Sequence, residues 1–314
     1  MRVVLVTEFG GPEVLKVATA AEPVPSDGQV LVAVERAAVL YGETIVRRGE
    51  HPFPLPYVPG MEIGGRVVAA PGHELDGRLV VGTTTGLSGG YAEFALAEDV
   101  HLVPDGMSLD HAVALFGAGG LAVGLLAAMD VGPDDTVLIT AAAGRMGSLL
   151  VQLAKAAGAR VIGAVGTQEK LDAVRAFGAD VAVSYSDPDW AAPVEATVVL
   201  DAIGGDVGPQ ALAAVATGVG RIGFYGYASG RWPDLDIGDI ARRGLTVVGS
   251  LGKVLAKPAA ERRADVQRAL TAGLTPRIHA VHPLERAADA HTDLEQRRNV
   301  GAVLLDVTPP RGRP

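Results

Sequence analysis

One stretch of the sequence, from Thr136 to Tyr185, constrains the fold more than any other. It begins with an apolar run at 136–140 that contains β-branched residues and follows a Gly-Pro-Asp-Asp turn, which predicts a buried strand. A turn containing glycines comes next, and apolar side chains then recur at helical spacing over 149–157 until Gly158, a typical helix C-terminal residue. A second apolar run at 160–165 completes a strand, turn, helix and strand. This order is typical of a parallel sheet covered by helices.

The turn of this unit, Ala141 to Ser148, has residue types that suit a dinucleotide. A pyrophosphate can sit on the free N–H groups of a helix start only if no side chain intervenes. Gly144 allows that approach, and Gly147 lets the helix pack closely on the strand. Ala142 replaces the first glycine of the G-x-G-x-x-G pattern, so a turn that binds nothing is the alternative. The predicted cofactor contacts here are Ala143, Gly144, Arg145, Met146 and Gly147.

The end of the second strand indicates which nicotinamide cofactor is bound. An NAD site usually has Asp or Glu there, about 20 residues after the glycines, to hold the ribose hydroxyls. The segment Ala164 to Thr167 has no acid, Thr167 is typical of a helix N-cap, and Lys170 lies one turn into the next helix. A hydroxyl and an ammonium suit a 2′-phosphate better than two bare hydroxyls do. Glu169 opposes this interpretation unless its carboxylate faces away from the pocket, and NADPH is the predicted cofactor.

Eight segments, in this order and spacing, carry a family resemblance: Gly10–Leu15, Tyr57–Glu62, Gly89–Glu93, Thr136–Ser148, Glu169–Leu171, Phe177–Asp180, Val199–Asp206 and Arg298–Gly301. Together they resemble the zinc-free quinone oxidoreductase branch of the medium-chain dehydrogenase/reductase superfamily. The resemblance extends over nearly the whole chain. It is specific for the family and not for a substrate.

The resemblance implies an α/β fold with two domains. One is a doubly wound, Rossmann-type parallel sheet, expected at residues 118–252, and the other is a chaperonin-10-like, partly open β-barrel, expected at residues 1–117 and 253–314. Short apolar runs between Gly and Pro turns also favour a barrel. They predict strands at Arg2–Thr7, Leu15–Ala18, Gln29–Ala38, Gly65–Ala70, Leu79–Val81 and Tyr91–Leu96.

The remaining elements are predicted from apolar periodicity and turn residues. Glycines at 117–120 are expected to form a flexible joint between two helices, and Thr308–Pro314 a frayed tail. The predicted strands are Val181–Ser184, Val198–Asp201, Gly220–Gly226, Leu245–Leu251 and Ala302–Val307. The predicted helices are Tyr41–Arg48, Leu109–Leu115, Leu121–Met129, Gln168–Phe177, Pro258–Ala272 and Pro283–Gln296.

Charge and composition exclude several classes of function. The net charge of −9, without a Lys- or Arg-rich stripe, argues against nucleic acid or an anionic membrane as a partner. No apolar run approaches the roughly 20 residues of a membrane span, so we expect a cytoplasmic protein. The chain has no cysteine, which excludes disulfides, a Cys-based zinc site and a thiol nucleophile.

A metal site is not expected. Zinc alcohol dehydrogenases of the resembled superfamily hold a catalytic metal through cysteine and through the His of a Gly-His-Glu turn. Gly60-Met61-Glu62 matches that turn, and a thioether is a poor zinc ligand. Without a Lewis acid the acceptor must take hydride readily by itself, as quinones and α,β-unsaturated carbonyls do. The protein then supplies mainly proximity.

Tyr41, His51 and Tyr57 are the candidate catalytic residues. The resemblance places His51 and Tyr57 near the mouth of the active cleft, and Tyr41 opens a segment expected to overhang it. Tyr41 could donate a hydrogen bond to the acceptor oxygen or be a half-buried aromatic at a helix start, and His51 could be a plain loop residue. Glu43 is expected to pair with Arg47, one helical turn later.

The resemblance implies further cofactor contacts. Tyr185 matches a tyrosine that contacts the 2′-phosphate, with a strand-end aromatic as the alternative, while Phe224 and Gly226 end a strand at the expected nicotinamide level. The set outside the glycine turn is Thr167, Lys170, Tyr185, Ile203, Phe224, Gly226, Leu251 and Asn299. Leu40 and Leu121 stand where relatives commonly have Asn and Thr, on the cofactor side of the cleft, which makes the predicted pocket more apolar than usual. Ala302 stands where relatives usually have Lys, which weakens the inference of a basic contact there.

These observations leave three hypotheses for function. The first is a zinc-independent, NADPH-dependent reductase of a small hydrophobic acceptor, either a quinone or an enone. The second is an enoyl-thioester reductase, and the third is an NADPH-binding sensor or structural protein without turnover. The apolar run Leu245–Leu251, at the outer edge of the sheet, predicts a homodimer in which two such strands pair, unless Gly252–Pro258 covers that edge.

Overall fold

The computed structural model describes residues 1–71 and 74–308, with strands β1–β14 and helices α1–α9 numbered along the chain. The chain divides into two compact units, residues 1–117 with 276–314 and residues 118–275. Apart from Thr308, the predicted tail lies outside the described residues.

The first unit is built on a closed circuit of antiparallel strands. Its elements are β1 (Arg2–Leu5), β2 (Lys16–Thr19), β3 (Val30–Val39), α1 (Tyr41–Arg47), β4 (Glu62–Ala69), β5 (Leu79–Thr84), β6 (Phe94–Leu102), β13 (Ile278–Pro283), α9 (Ala287–Glu295) and β14 (Ala302–Asp306). β3 pairs with β4 along one edge and shares its other edge between β6 and β14. Because β5 joins β4 to β6, the strands β3–β6 close on themselves. The expected barrel is confirmed.

The core of this barrel is filled by small and medium-sized apolar side chains, and one strand contact leaves no room for any side chain. Val32, Val34, Val67 and Leu305 are at most 4% exposed and fill its core. At Gly65, a Cβ would lie 2.0 Å from the carbonyl oxygen of Ala33 on β3, so no larger residue fits without moving the strand.

The second unit is a six-stranded sheet in which every pairing is parallel. Its strands are β7 (Thr136–Ile139), β8 (Arg160–Val165), β9 (Val181–Ser184), β10 (Val198–Asp201), β11 (Arg221–Phe224) and β12 (Thr246–Val248), in the order β12-β11-β10-β7-β8-β9. The order reverses between β7 and β10, and ligands of doubly wound sheets bind outside the carboxyl ends of the strands at such a point. The predicted Rossmann-type sheet is confirmed.

Helices surround this sheet. They are α3 (Arg145–Ala156), α4 (Leu171–Ala176), α5 (Val207–Ala213), α6 (Ile237–Arg243), α7 (Ser250–Leu255) and α8 (Ala259–Thr271). The side chains of Val137, Leu138 and Val199 are 0% exposed, because the strands of a parallel sheet are covered on both faces.

The segment predicted as two helices with a flexible joint is one continuous helix, α2 (Leu109–Ala128). Close packing explains its glycines: a Cβ on Gly117 would lie 2.0 Å from Glu62 Oε1, and one on Gly120 would lie 2.6 Å from Val266 Cγ2. α2 is also long and apolar enough to cross a membrane, which the sequence reading missed, and 67% of its most apolar 18-residue window is buried inside the protein. Core helices have the same composition.

The predicted domain boundary at residue 253 is wrong, because residues 253–275 belong to the second unit. Val266 of α8 packs against Gly120, and Val254 of α7 packs against Gly124. The periodicity of these helices identifies an apolar face but not the partner that covers it.

Several element boundaries also differ from the predictions. β12 covers only three residues of the expected strand Leu245–Leu251, because α7 begins at Ser250. Pro258 and Pro283 lie just before their helical segments rather than inside them. The helix predicted from Gln168 begins as a 3-10 turn at Gln168–Lys170, and β13 lies where no strand is predicted.

Candidate cofactor site and candidate active-site residues

The turn between β7 and α3 forms a cradle at the reversal point of the sheet. Ala141 takes a left-handed conformation with φ of 51°, and Gly144 is the N-cap of α3. The helical ladder begins with the bond from Ser148 N to Gly144 O (3.0 Å), so the N–H groups of Met146 and Gly147 lie ahead of it. Such N–H groups at a helix start favour an anion.

The two glycines of this turn, Gly144 and Gly147, differ in how much space a side chain would have. A Cβ on Gly147 would lie 2.2 Å from the carbonyl oxygen of Ala141, which only a backbone shift could relieve. A Cβ on Gly144 would have a single neighbour, the same oxygen at 3.2 Å. Gly147 is therefore required for packing, whereas the space beside Gly144 is open to a ligand.

The end of β8 brings together the residues predicted to hold the 2′-phosphate. The ring of Tyr185 lies over Gly166, where a Cβ would be 3.2 Å from ring atom Cε2. Thr167 is an exposed N-cap residue whose side chain makes no capping bond, and Lys170 is half-buried. The backbone N–H of Glu169 itself and the Thr167 hydroxyl lower the pKa of the Glu169 carboxyl, so this carboxylate is held by its own turn.

A buried carboxylate that the sequence reading missed organises the reversal point. Asp201 ends β10 and is 0% exposed; its Oδ1 accepts from the Thr140 hydroxyl (2.7 Å) and from Ile203 N (3.1 Å). Its Oδ2 accepts from Gly204 N (2.9 Å). The Tyr225 hydroxyl donates to Thr140 O (3.3 Å), which links three strand ends. An acid at the end of an apolar strand is the sequence signal that could have identified it.

The remaining predicted contacts of this unit occupy different environments. Ile203 is 5% exposed in the turn that Asp201 fixes, while Phe224 and Gly226 are half-buried at the end of β11. Leu251 lies in the first turn of α7 rather than in a strand, which corrects its predicted setting. Ser250, beside it, donates from its hydroxyl to Phe224 O (3.0 Å).

In the first unit, Glu43 of α1 is the centre of a buried hydrogen-bond network. Its Oε2 accepts from Leu40 N (3.0 Å) and the Tyr91 hydroxyl (2.8 Å), and its Oε1 accepts from Met61 N (2.8 Å). Burial raises the pKa of Glu43 to about 7, against the opposing effect of these three donors. Met61 thus contributes its backbone N–H to this network.

The predicted pair between Glu43 and Arg47 is wrong. The Arg47 side chain is 0% exposed, and its guanidinium contacts Glu295 (2.5 Å), the carbonyl of Gly10 (3.1 Å) and the ring of His291 (3.4 Å). The helical spacing of Glu43 and Arg47 allows a pair, but the packing of α9 on α1 supplies Arg47 with a closer carboxylate. His291 also contacts the Tyr91 hydroxyl through Nε2 (3.1 Å), and burial lowers the pKa of His291 to about 3.

The candidate catalytic residues lie in this same unit. Tyr41 is half-buried at the start of α1 and packs against the barrel core, and His51 is exposed in a loop. Tyr57 is 9% exposed; among the described residues its buried hydroxyl has no hydrogen-bond partner, and burial raises its pKa to about 12. Asn299 donates through its amide to Gly301 O (2.9 Å), a local bond that fixes the turn before β14.

Comparison with known proteins identifies the family. The alcohol dehydrogenase GroES-like domain matches residues 26–107, and the zinc-binding dehydrogenase domain matches residues 146–270. The quinone oxidoreductase of Sus scrofa is 32% identical over 97% of each chain. That of Pseudomonas aeruginosa is 32% identical over 95% of this chain and 97% of its own. The chain belongs to the quinone oxidoreductase family of the medium-chain dehydrogenase/reductase superfamily.

Solved structures of similar proteins have the same fold. A mycobacterial protein complexed with NADPH is 30% identical, with a TM-score of 0.86 over 98% of this chain and 100% of that one. The quinone oxidoreductase of Escherichia coli complexed with NADPH is 25% identical, with a TM-score of 0.86 and the same coverage.

One of the two matched domains is described as a zinc-binding dehydrogenase, so the groups that could bind zinc matter in this member of the quinone oxidoreductase family. Within residues 1–71 and 74–308, no group of three or more His, Cys, Asp or Glu is arranged to hold a metal ion. Cysteine is absent from the whole sequence.

Proposed function

We propose that this protein is a zinc-independent oxidoreductase that transfers a hydride from NADPH to a quinone or an α,β-unsaturated carbonyl. The observation that supports this proposal most is the cradle at the reversal point, where the open glycine turn and the end of β8, which has no acid at 164–167, lie at the same edge of the sheet. Two NADPH-complexed structures of the same fold support the choice of cofactor.

The residues present fit NADPH. The N–H groups at the start of α3 suit the pyrophosphate, and the space beside Gly144 lets it approach. Lys170 and Tyr185 suit the 2′-phosphate, and Thr167 joins them once its hydroxyl turns from the Glu169 carboxylate to the phosphate. When bound, NADPH supplies a hydride from C4 of its nicotinamide.

The reaction balances with one proton. A quinone takes the hydride and one proton and becomes a hydroquinone, while NADPH becomes NADP⁺; an enone becomes a saturated ketone in the same way. Holding the nicotinamide and the acceptor in reactive geometry lowers the barrier by on the order of 7–11 kcal/mol at ideal alignment.

The cofactor assignment can be tested at Lys170. Lys170→Ala should weaken NADPH binding by about 1.5–3 kcal/mol and leave NADH binding unchanged, because only NADPH has the phosphate that the ammonium would contact. Fluorescence titration measures both dissociation constants. Arg175→Ala is the matched control, since Arg175 already pairs with Asp172 (2.8 Å). Equal losses for both cofactors would refute the assignment.

The reaction class is tested by a turnover screen with NADPH over quinones, enones and enoyl thioesters, with and without chelator. We expect turnover of quinones or enones that chelation and added zinc leave unchanged. Stoichiometric zinc that is lost together with activity would contradict the proposal. Turnover of enoyl thioesters alone would favour the second hypothesis, and NADPH binding without any turnover would favour a sensor.

A further inference from the structure

The loop between β11 and α6 carries an aromatic pair, half-buried Tyr227 and exposed Trp232. The ring centroids of Tyr227 and Trp232 lie 4.7 Å apart with an angle of 42° between their planes. Trp232 is 56% exposed, whereas the other tryptophan, Trp190, is 3% exposed in the core of this unit. Two neighbouring aromatic rings offer a planar apolar surface on which the ring of a ligand can stack.

This loop is held in place rather than loosely attached. Ala228 N donates to Ala202 O and Ser229 N donates to Ile203 O, both at 2.9 Å. In the other direction, Gly205 N donates to Arg231 O at 2.9 Å. These bonds hold the segment between Tyr227 and Trp232 against the turn after β10.

A second packing contact fixes the residue that follows Trp232. Pro233 covers Gly208 of α5, where a Cβ would lie 2.3 Å from the proline ring. The exposure of Trp232 is therefore a property of an ordered loop.

The position of the pair relates it to the candidate cofactor site of the same unit. Tyr227 directly follows Gly226, which together with Phe224 ends β11 at the level predicted for the nicotinamide. The turn that anchors the loop contains Ile203 and is itself fixed by Asp201. The loop thus extends the carboxyl edge of the sheet, where ligands of this architecture bind.

We propose that Tyr227 and Trp232 form a substrate subsite that stacks on a planar aromatic ring of the hydride acceptor, so that fused-ring quinones are preferred to aliphatic enones. This inference rests on the proposed function and narrows its substrate class. Quinone rings are electron-poor and the indole ring is electron-rich, which favours an offset stack. A pair already held in place loses little conformational freedom on binding.

The first experiment compares 1,4-naphthoquinone with 2-cyclohexen-1-one as acceptors. Trp232→Ala should raise KM for naphthoquinone about three- to tenfold, as expected for the loss of one aromatic stack. Both kcat and KM for cyclohexenone should stay unchanged. Trp232→Phe should restore most of the naphthoquinone KM. An unchanged dissociation constant for NADPH verifies that the variants fold. Equal changes for both acceptors, or no change for either, would overturn the inference.

A second measurement is independent of turnover. In a Trp190→Phe background with NADP⁺ bound, naphthoquinone should quench the fluorescence of Trp232 with a saturable curve that Tyr227→Ala weakens. A linear, collisional quenching curve would overturn the inference. So would a smaller particle mass of Trp232→Ala in light scattering, because Trp232 would then be a contact between subunits. If the parent reduces neither acceptor, the proposed function fails and the quenching curve alone decides the subsite.

Discussion

At the scale of single residues, the two glycines of the β7–α3 turn differ in what a methyl group would meet. Gly144→Ala should destabilise the protein by no more than about 1 kcal/mol, because its φ of −74° suits alanine and its one close neighbour, Ala141 O at 3.2 Å, needs to give only slightly. The same methyl group would occupy the space of a phosphate and should weaken NADPH binding about tenfold or more.

Gly147→Ala is the matched control for this prediction. It should destabilise the protein by about 1–3 kcal/mol whether or not NADPH is present, because the backbone itself must move. Thermal unfolding and fluorescence titration measure the two effects. If Gly144→Ala left NADPH affinity unchanged, the cofactor would lie elsewhere.

Glu43 and His291 have opposite effects on stability as the pH changes. The unfolded chain loses the Glu43 proton near its ordinary pKa of 4.5, whereas the folded protein keeps it until about 7, so this carboxyl lowers stability as the pH rises between those values. The unfolded chain protonates His291 below 6.5, whereas the folded protein resists until about 3, so this imidazole lowers stability as the pH falls between those values. Between pH 4.5 and 6.5 the two slopes cancel.

Removing either group should reveal the pH dependence of stability that the other group contributes. In Glu43→Gln, stability should rise with pH between 4.5 and 6.5 by about 1.4 kcal/mol per unit, and in His291→Gln it should fall by a similar amount. Urea denaturation followed by circular dichroism at several pH values measures both slopes, with the parent as control. Parallel profiles for the parent and both variants would mean that neither group is shifted as the geometry requires.

At the scale of elements, α2 illustrates how packing determines whether a helical glycine is favourable. Gly120→Ala should destabilise the protein by about 1–3 kcal/mol despite the higher helix propensity of alanine, because its Cβ would overlap Val266. Gly252→Ala in α7 is the control: nothing lies within 4 Å of its Cβ, and stability should rise by about 0.5–1 kcal/mol. Thermal unfolding of both variants measures the contrast. Stabilisation by both would support the flexible joint predicted from sequence.

At the scale of the whole molecule, we propose that two copies pair through β12, the outer strand of the parallel sheet. Thr246 N donates to Gly220 O (3.1 Å), so in a parallel strand the next residue, Val247, directs its N–H and C=O to the open edge. Val247 is 43% exposed, whereas Val248 is 9% exposed. The shortness of β12 leaves few such groups, so side-chain packing must contribute much of the interface.

Val247→Pro should therefore abolish the dimer without breaking the pairing of β12 with β11, since it removes an outward donor. Val247→Ala, which keeps the N–H, should remain largely dimeric. Light scattering at micromolar concentration distinguishes the two. A monomeric parent would reject the proposal.

The local sequence pattern was sufficient to predict much of this fold. The apolar runs of β7 and β8 and the helical spacing of α3 are properties of adjacent residues, so the βαβ unit and the glycine turn could be predicted from sequence. The absence of an acid at the end of β8 could likewise be read directly.

Only the tertiary structure decided the features that depend on distant partners. Glu43 has the right spacing to pair with Arg47, yet its partners lie 18 and 48 residues away at Met61 and Tyr91. Glycines that break helices in isolation continue α2 because Glu62 and Val266 occupy the space of their side chains. Spacing along the chain determines which face of an element is apolar, but long-range packing determines what covers that face and which polar groups it brings together.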